Sequence, residues 1–526
     1  MVVKYLQAIF LLSLLSFGVI SYSFPLSTQG KWIIDSASGG QRVKLACTCW
    51  ASHLQPMLAE GLHKQPLKDI VAKVVQQRFN CVRLTWATYM FTRFNQSTVT
   101  QTLDSLKLTE TKQGIAKNNP ALLNMTHVQA YEAVVDELGR QGLMVVLDNH
   151  VSNPKWCCAD NDGNGFFGDT DFDPQEWERG LVDVAQQFTN KTQVVAMSLR
   201  NELRGPRQNP SDWYKYISEG AKLVHGVNPD VLVVVSGLSY GTDLSFLKNQ
   251  PLGVNLDNKL VYESHWYSWT IVNKDCAESK QVVYDHSGFV MDGDNPVPLF
   301  LGEFGIDQRG TSEADNKFFN CFMEYAAQYD FGWSLWALQG SYYLREGQLE
   351  HEEVFGVLNA NWDTIRNPEF IKRLQSLEKF GQGPSSKLLS SSIMYHPDSG
   401  SCVQYSTQTH GIYADSSCLT PIRWIHDRDG APLRLMETNL CLKVVGDGLA
   451  PKVSPDCSSQ QSLWYSVSAS KLQLAAKDSN GQYLCLDKTS SNSQILTRKC
   501  ICINDDSGCL DDPQRQWFML SPKNLS

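Results

Sequence analysis

Glu202 and Glu303 stand 101 residues apart, each at the end of a short apolar run, in Ser198-Leu-Arg-Asn-Glu-Leu203 and Leu299-Phe-Leu-Gly-Glu-Phe-Gly305. Two carboxyl groups facing each other can divide labour: one keeps a proton to give away, the other stays charged and attacks. Neighbouring apolar runs end in the same manner, on Arg83 and Trp86, on Asn149-His150, on Asn201 beside Glu202, on His265 and Tyr267, and on Trp336. Each residue alone has a plain structural explanation. A glutamate at a strand end serves as a surface or capping residue, Arg83 could pair with a carboxylate to hold the fold, and His150 or His265 could be satisfied core histidines. Together they would all have to fall at one end of the fold by chance.

The runs that carry them are nearly continuous and β-branched: 43–50, 79–86, 143–148, 194–199, 231–236, 260–264, 298–302 and 332–338. Such runs suit parallel strands buried on both faces. Helix-like segments lie between most of them, at 66–77, 126–141, 174–189 and 212–225. Eight strands alternating with helices over about 340 residues predict a closed (β/α)8 barrel of the α/β class, with its chemistry at the C-terminal strand ends. The rival, an open doubly wound sheet, would carry a Gly-rich phosphate turn after its first strand, and none is present.

The 526 residues are 42% hydrophobic and 19% charged, which excludes a disordered chain. A net charge of −9 without long like-charge runs argues against nucleic-acid and anionic-membrane partners. Lys4, the apolar run 8–20 and Ser21-Tyr-Ser23 predict a secretory signal peptide over 1–23, too short for a span. The expected location is therefore extracellular (cell wall or apoplast if the source is a plant). In that setting Asn95, Asn124 and Asn190 are glycosylation acceptors placed on the surface, with Asn524 weaker. Asp160-Asn-Asp162-Gly-Asn164-Gly165 with Asp171 approaches a calcium-loop spacing, but Asp replaces the final Glu and Trp156-Cys-Cys158 is a poor preceding helix. The favoured reading is an Asn/Asp/Gly turn lining the cleft.

From Gly381 a Gly/Ser/Pro stretch predicts a linker over 381–392. A unit then appears three times: Cys402 to Cys418, Cys441 to Cys457 and Cys485 to Cys500, each followed by a tryptophan, at 424, 464 and 517. The spacing of the first cysteines is that of an internal repeat.

These residues resemble two known families. The Asn-Glu and Gly-Glu motifs, with Arg83, Asp148-Asn-His150, His265-Trp-Tyr267 and Trp336, resemble glycoside hydrolase family 5 over roughly 30–380. Plant-type, cellulase-like members share the Val43-Lys-Leu-Ala-Cys47 start and a C-terminal lectin module. The repeats resemble a ricin-B-type lectin, an all-β trefoil with one loop disulfide per repeat. The resemblance implies a barrel domain over 24–380 and a trefoil over 393–526. It implies retaining hydrolysis of a β-glycosidic bond in a cellulase- or β-glucanase-like glycan, with Glu202 as acid/base and Glu303 as nucleophile.

Glu202 then needs a raised pKa, helped by the charge of Glu303. Arg83 and Tyr267 would hold Glu303 ionised, Asn201 would bind the sugar 2-hydroxyl, Asn149, His150 and His265 would complete the polar shell, and Trp336 would floor the site. Trp86, Trp266 and Trp269 could extend that floor, two or more of them being core. The substrate is a carbohydrate, and no metal, cofactor or membrane is called for. Glycolipid-directed hydrolysis and a non-catalytic carbohydrate-binding role are the alternatives. In the trefoil, a glycan pocket would use an Asp two positions after each first cysteine, where Gln404, Lys443 and Asp487 stand, so only the third repeat keeps it. The three tryptophans are expected in the core.

Fifteen cysteines complete the inventory. The lectin resemblance pairs 402 with 418, 441 with 457 and 485 with 500, leaving Cys502 and Cys509 as a local pair. Seven then remain in the barrel, predicting one buried free thiol among Cys47, Cys49 and Cys81. Adjacent Cys157 and Cys158 are expected to bond elsewhere, one to Cys276, so the barrel would stand mainly on its core.

Overall fold

A computed structural model describes residues 25–271, 274, 276–378, 391–416, 418, 421–468, 471–489, 493–503 and 513–521. The expected signal peptide, most of the expected linker, Cys509 and Asn524 lie outside the described residues.

All eight apolar runs form strands: β1 (Ala46–Trp50), β2 (Cys81–Ala87), β3 (Met144–Val151), β4 (Val194–Ser198), β5 (Leu232–Ser236), β6 (Leu260–Trp266), β7 (Leu299–Phe304) and β8 (Gly332–Leu335). They pair in parallel, in sequence order, and β8 closes on β1. Five of the surrounding helices are α1 (Leu67–Gln76), α2 (His127–Arg140), α3 (Pro174–Gln187), α4 (Pro210–Val227) and α5 (Glu313–Tyr329). Their starts follow local chemistry. Thr126 and Gln129 form a reciprocal capping box, while Asp173 and Asn209 cap helices that open on Pro174 and Pro210.

The barrel interior is layered. Its lower half is apolar, with Cys47, Cys81, Met144, Val146, Leu232 and Phe300 in one cluster. An antiparallel ribbon (Leu26–Gln29, Trp32–Asp35 and Gln41–Arg42) closes that end by inserting Leu26 and Ile33. The upper half is polar and holds the site.

The barrel holds the expected buried free thiol, but its pairing departs from expectation at Cys157, Cys158 and Cys276. Cys47 bonds Cys81, its direct partner across β1 and β2, which leaves Cys49 as the one free thiol among the described residues, fully buried. Cys276 bonds Cys321 of α5, because the helices that follow β6 and β7 lie side by side. Cys157 bonds Cys158 itself. Two of these bonds join separate elements and staple the barrel, which is not supported by its core alone.

The segment after the linker is all-β, with an eight-stranded and a four-stranded antiparallel sheet. Disulfides join Cys402 to Cys418, Cys441 to Cys457 and Cys485 to Cys500. Trp424 and Trp464 are fully buried in its core, whereas Trp517, Leu472 and Met519 pack into the barrel's own cluster. Gln514 adds hydrogen bonds to the carbonyl of Arg373 and the hydroxyl of Ser376. At the three pocket positions Gln404 is buried, Lys443 pairs with Asp456 at 2.6 Å, and Asp487 is 1% exposed against Arg515 and Gln516. The acid a lectin pocket would need is engaged by the chain itself.

Candidate active site

The nucleophile candidate owes its direction to a bulge. Along β7, Phe300 faces the barrel interior while Leu301 faces the helices. Plain alternation would send Glu303 outward with Leu301. The register against β6 shifts between Leu301 and Glu303, so Glu303 turns inward and Phe304 outward. Gly302 occupies the bulge for a steric reason: a Cβ there would lie 1.8 Å from a carboxylate oxygen of Glu263.

Glu202 lies beyond β4 on a segment clamped from both sides. The backbone N–H of Asn201 donates to the carbonyl of Asn149 at 2.9 Å. Arg200 stacks on Phe172 and donates to Asn149 Oδ1, Ser152 Oγ and the carbonyl of Asn164.

At the centre Arg83, with no exposed surface, distributes its guanidinium among four partners. These are Glu303 at 2.9 Å, Glu263 and Asn201 at 2.8 Å, and Asp148 at 3.0 Å. Tyr267 donates to the other oxygen of Glu303 at 3.1 Å. His265 sits between three carboxylates: Nδ1 is 2.8 Å from Glu202 and 3.8 Å from Glu303, and Nε2 is 3.4 Å from Glu263. One ligand atom from each of Glu202, His265 and Glu303 falls within 4.8 Å of the other two. Both imidazole nitrogens already face carboxylates, so this cluster is an ion-pair triad first and a metal site only by losing those contacts.

The electrostatics follow from burial opposed by pairing. Burial would push His265 down, but Glu303, Glu202 and Glu263 together hold it up at about 10, so the ring carries a proton at neutral pH. Burial raises Glu303 to about 7, against His265 and Arg83, which favour its ionised form. It raises Asp148 to about 7 as well, with Arg83 opposing. For Glu263 the cations prevail over burial and keep the carboxyl below its ordinary value. Burial thus places a raised carboxyl on Glu303, the deeper of the two glutamates.

Above this layer opens a cleft of about 770 Å³ that contains Glu202, Glu303, Asn201, His150, His265, Tyr267 and Trp336. Trp336 stacks on His150 at 5.5 Å, and His150 on His53 at 4.0 Å. Arg83 and Asn149, expected at the substrate, do not line the cleft. Arg83 is covered by the residues it positions, and Asn149 is fully buried between Thr88 and Arg200. Trp86 and Trp266 are core, whereas Trp269 is 60% exposed in the cleft wall, stacked on Tyr267 at 4.3 Å. The loop at 160–171 is a turn whose carboxylates have partners: Asp162 with Arg204, and Asp171 with Lys155 at 2.8 Å. Asn95, Asn124 and Asn190 are exposed.

The sequence reading gave no role to two site carboxylates, Asp148, named only within its motif, and Glu263, although a signal was there. Each precedes a site histidine by two residues, and in a strand that spacing puts both side chains on one face. His150 Nδ1 meets Asp148 at 2.6 Å, as His265 meets Glu263. Trp156, Phe355 and Arg345 in the cleft wall were also passed over. They come from long loops, and no spacing rule connects those loops to the strands.

Comparison with known proteins agrees with this architecture. The profile described as "Cellulase (glycosyl hydrolase family 5)" matches residues 46–341. A glycosyl hydrolase 5 family protein of Chamaecyparis obtusa is 42% identical over 540 residues, covering 98% of this chain and 96% of that protein. An endoglucanase of Paenibacillus polymyxa is 21% identical over 65% of this chain and 84% of its own. Among solved structures, the hyperthermophilic endocellulase of the archaeon Pyrococcus horikoshii superposes with a TM-score of 0.56 at 20% identity. It spans 68% of this chain and 99% of the archaeal one, and shares the fold.

Proposed function

Since the chain belongs to glycosyl hydrolase family 5, and is thereby a glycoside hydrolase, we propose that it is a secreted retaining enzyme acting on a β-linked glucan or related oligosaccharide. The carrying observation is the closeness of Glu202 and Glu303, whose nearest carboxylate oxygens lie within 4.8 Å across the cleft. A retaining pair stands about 5–5.5 Å apart, whereas an inverting pair needs about 6.5–9.5 Å to admit a water between them. The cellulase profile and the cellotetraose complex of the archaeal relative favour a β-glucan over other β-glycans.

In this reading Glu303 attacks the anomeric carbon while Glu202 protonates the departing glycosidic oxygen. Glu202 then takes a proton from water, which displaces Glu303 from the glycosyl-enzyme. Arg83 and Tyr267 aim the attacking carboxylate through its two oxygens. His265, protonated and touching both glutamates, offsets their charge so that Glu303 ionises despite burial. Asn201, fixed through Oδ1 by Arg83, turns its amide N–H2 toward the sugar 2-hydroxyl. Trp336 supplies the flat apolar floor.

A 2-fluoro-glycoside should label Glu303, located by peptide mass. Glu303→Gln should lower turnover of an aryl β-glycoside by about a thousandfold or more, since a covalent step is lost. Undiminished turnover in that variant would sink the assignment. A panel of β-glucan, β-mannan, xylan and glycosylceramide decides the substrate. A mature N-terminus at Phe24 in culture medium tests secretion.

A further inference from the structure

The bond between adjacent Cys157 and Cys158 has no evident duty as a cross-link, because it closes no loop of chain. Its position is more informative. Both residues line the cleft, and the two sulfurs and a carboxylate oxygen of Glu202 lie within 4.8 Å of one another. The amide nitrogen of Asn201 is 3.9 Å from each sulfur. Cys158 is half-buried, so this sulfur-bearing face meets the cleft. Residue 156 extends the same wall. Trp156 packs edge-on against Trp336 at 6.4 Å and Tyr342 at 5.4 Å, with the guanidinium of Arg345 3.4 Å over its ring.

We infer that the Cys157–Cys158 disulfide is a sugar-contacting wall of the cleft, a fixed apolar ledge packed against the pyranose held over Asn201 and Glu202. The inference rests on the glycoside reading of the site. A pyranose presents hydroxyls around its edge and C–H groups on its faces. The polar residues Asn201, Glu202, Glu303, His150 and Tyr267 meet the hydroxyl edge, beside the apolar floor of Trp336. A C–H face requires a surface that asks for no hydrogen bond. A disulfide provides one, because it has no proton to donate and its sulfurs are polarisable and weak acceptors. Two free thiols would rotate independently beside Glu202. The bond removes that freedom and fixes the backbone that presents Trp156.

The test compares the full chain with the Cys157→Ala/Cys158→Ala double variant, using whichever member of the glycan panel the wild type turns over fastest, and cellotetraose as competitor. The KM and the cellotetraose inhibition constant should rise about tenfold, with kcat within about twofold and its pH profile unmoved, as for the loss of a small apolar contact. A merely structural bond would leave KM unchanged or lower kcat together with melting temperature; either result overturns the inference.

A second measurement avoids dependence on the variant's folding. A phosphine reduces the cleft-lining disulfide to two thiols and leaves as its oxide, the oxygen and the two protons coming from water. Phenylarsine oxide then bridges both sulfurs, its oxygen leaving as water with the two thiol protons. Bridging should block hydrolysis in the wild type but not in the double variant, and cellotetraose should slow it. Full activity of the bridged enzyme overturns the inference. A wild type that hydrolyses nothing in the panel overturns the functional reading, and this inference with it.

Discussion

At the scale of single residues, the site works by setting buried charges against one another. Four carboxyls, Asp148, Glu202, Glu263 and Glu303, share two cations, Arg83 and His265. Burial raises Glu303 to about 7 even with both cations pulling the other way. Removing the imidazolium removes one of those pulls, so the carboxyl must rise further. In the proposed mechanism, attack by Glu303 requires the ionised form. The acid limb of kcat/KM in His265→Asn should therefore move to higher pH, by about one unit or more, and kcat/KM measured across pH 4–9 would show it. An acid limb that stays in place would mean that His265 carries no charge beside Glu303. Had only packing been lost, activity would fall equally at every pH.

At the scale of elements, a strand supplies direction and a bulge corrects it. β7 cannot present Phe300 to the lower core and Glu303 to the cleft by alternation alone; the extra residue at Gly302 reverses the phase. The same glycine leaves room for the carboxylate of Glu263, itself held by Arg83 and Ser198. Gly302→Ala would thrust a methyl group into that carboxylate and either expel it from its cation or reopen the strand. Breaking a buried charge pair costs about 3–5 kcal/mol. Urea unfolding of Gly302→Ala should show a loss of at least about 3 kcal/mol, and a loss below about 1 kcal/mol would mean that the strand re-registers freely. The two strand motifs with an acid two residues before a histidine work alike: the acid sits deeper, and the imidazole above it reaches the cleft.

At the scale of the whole molecule, the all-β segment is packed onto the barrel through a side chain that resembles its own repeats. Trp424 and Trp464 stay inside that segment, but the third tryptophan of the series, Trp517, enters the barrel's cluster with Leu472 and Met519. It is fully buried, so truncation leaves a large hole at the junction. Trp517→Ala should cost about 3–5 kcal/mol and lower the melting temperature of the barrel as well, read by calorimetry of the full chain. Two separate melts with the barrel's unchanged would show that the segments are thermally independent.

The sequence by itself determined the eight strands, their order, and nearly every side chain in the cleft floor. These follow from short-range rules: buried parallel strands are continuous apolar runs, and barrel chemistry collects at their C-terminal ends. Asp148 and Glu263 were legible too, from period-2 spacing, once the histidines above them were known. What the tertiary structure alone decided depends on neighbours brought together across a hundred residues or more. The strand register made Cys47 the partner of Cys81 and left Cys49 free. The depth of Glu303, not its place in a motif, gave it the raised carboxyl. The covering of Arg83 and Asn149 removed them from the substrate's reach and made them props for the residues that remain. Loop shape set Trp156, the paired sulfurs and Trp269 along one cleft, because burial and loop path depend on packing, which local spacing does not encode.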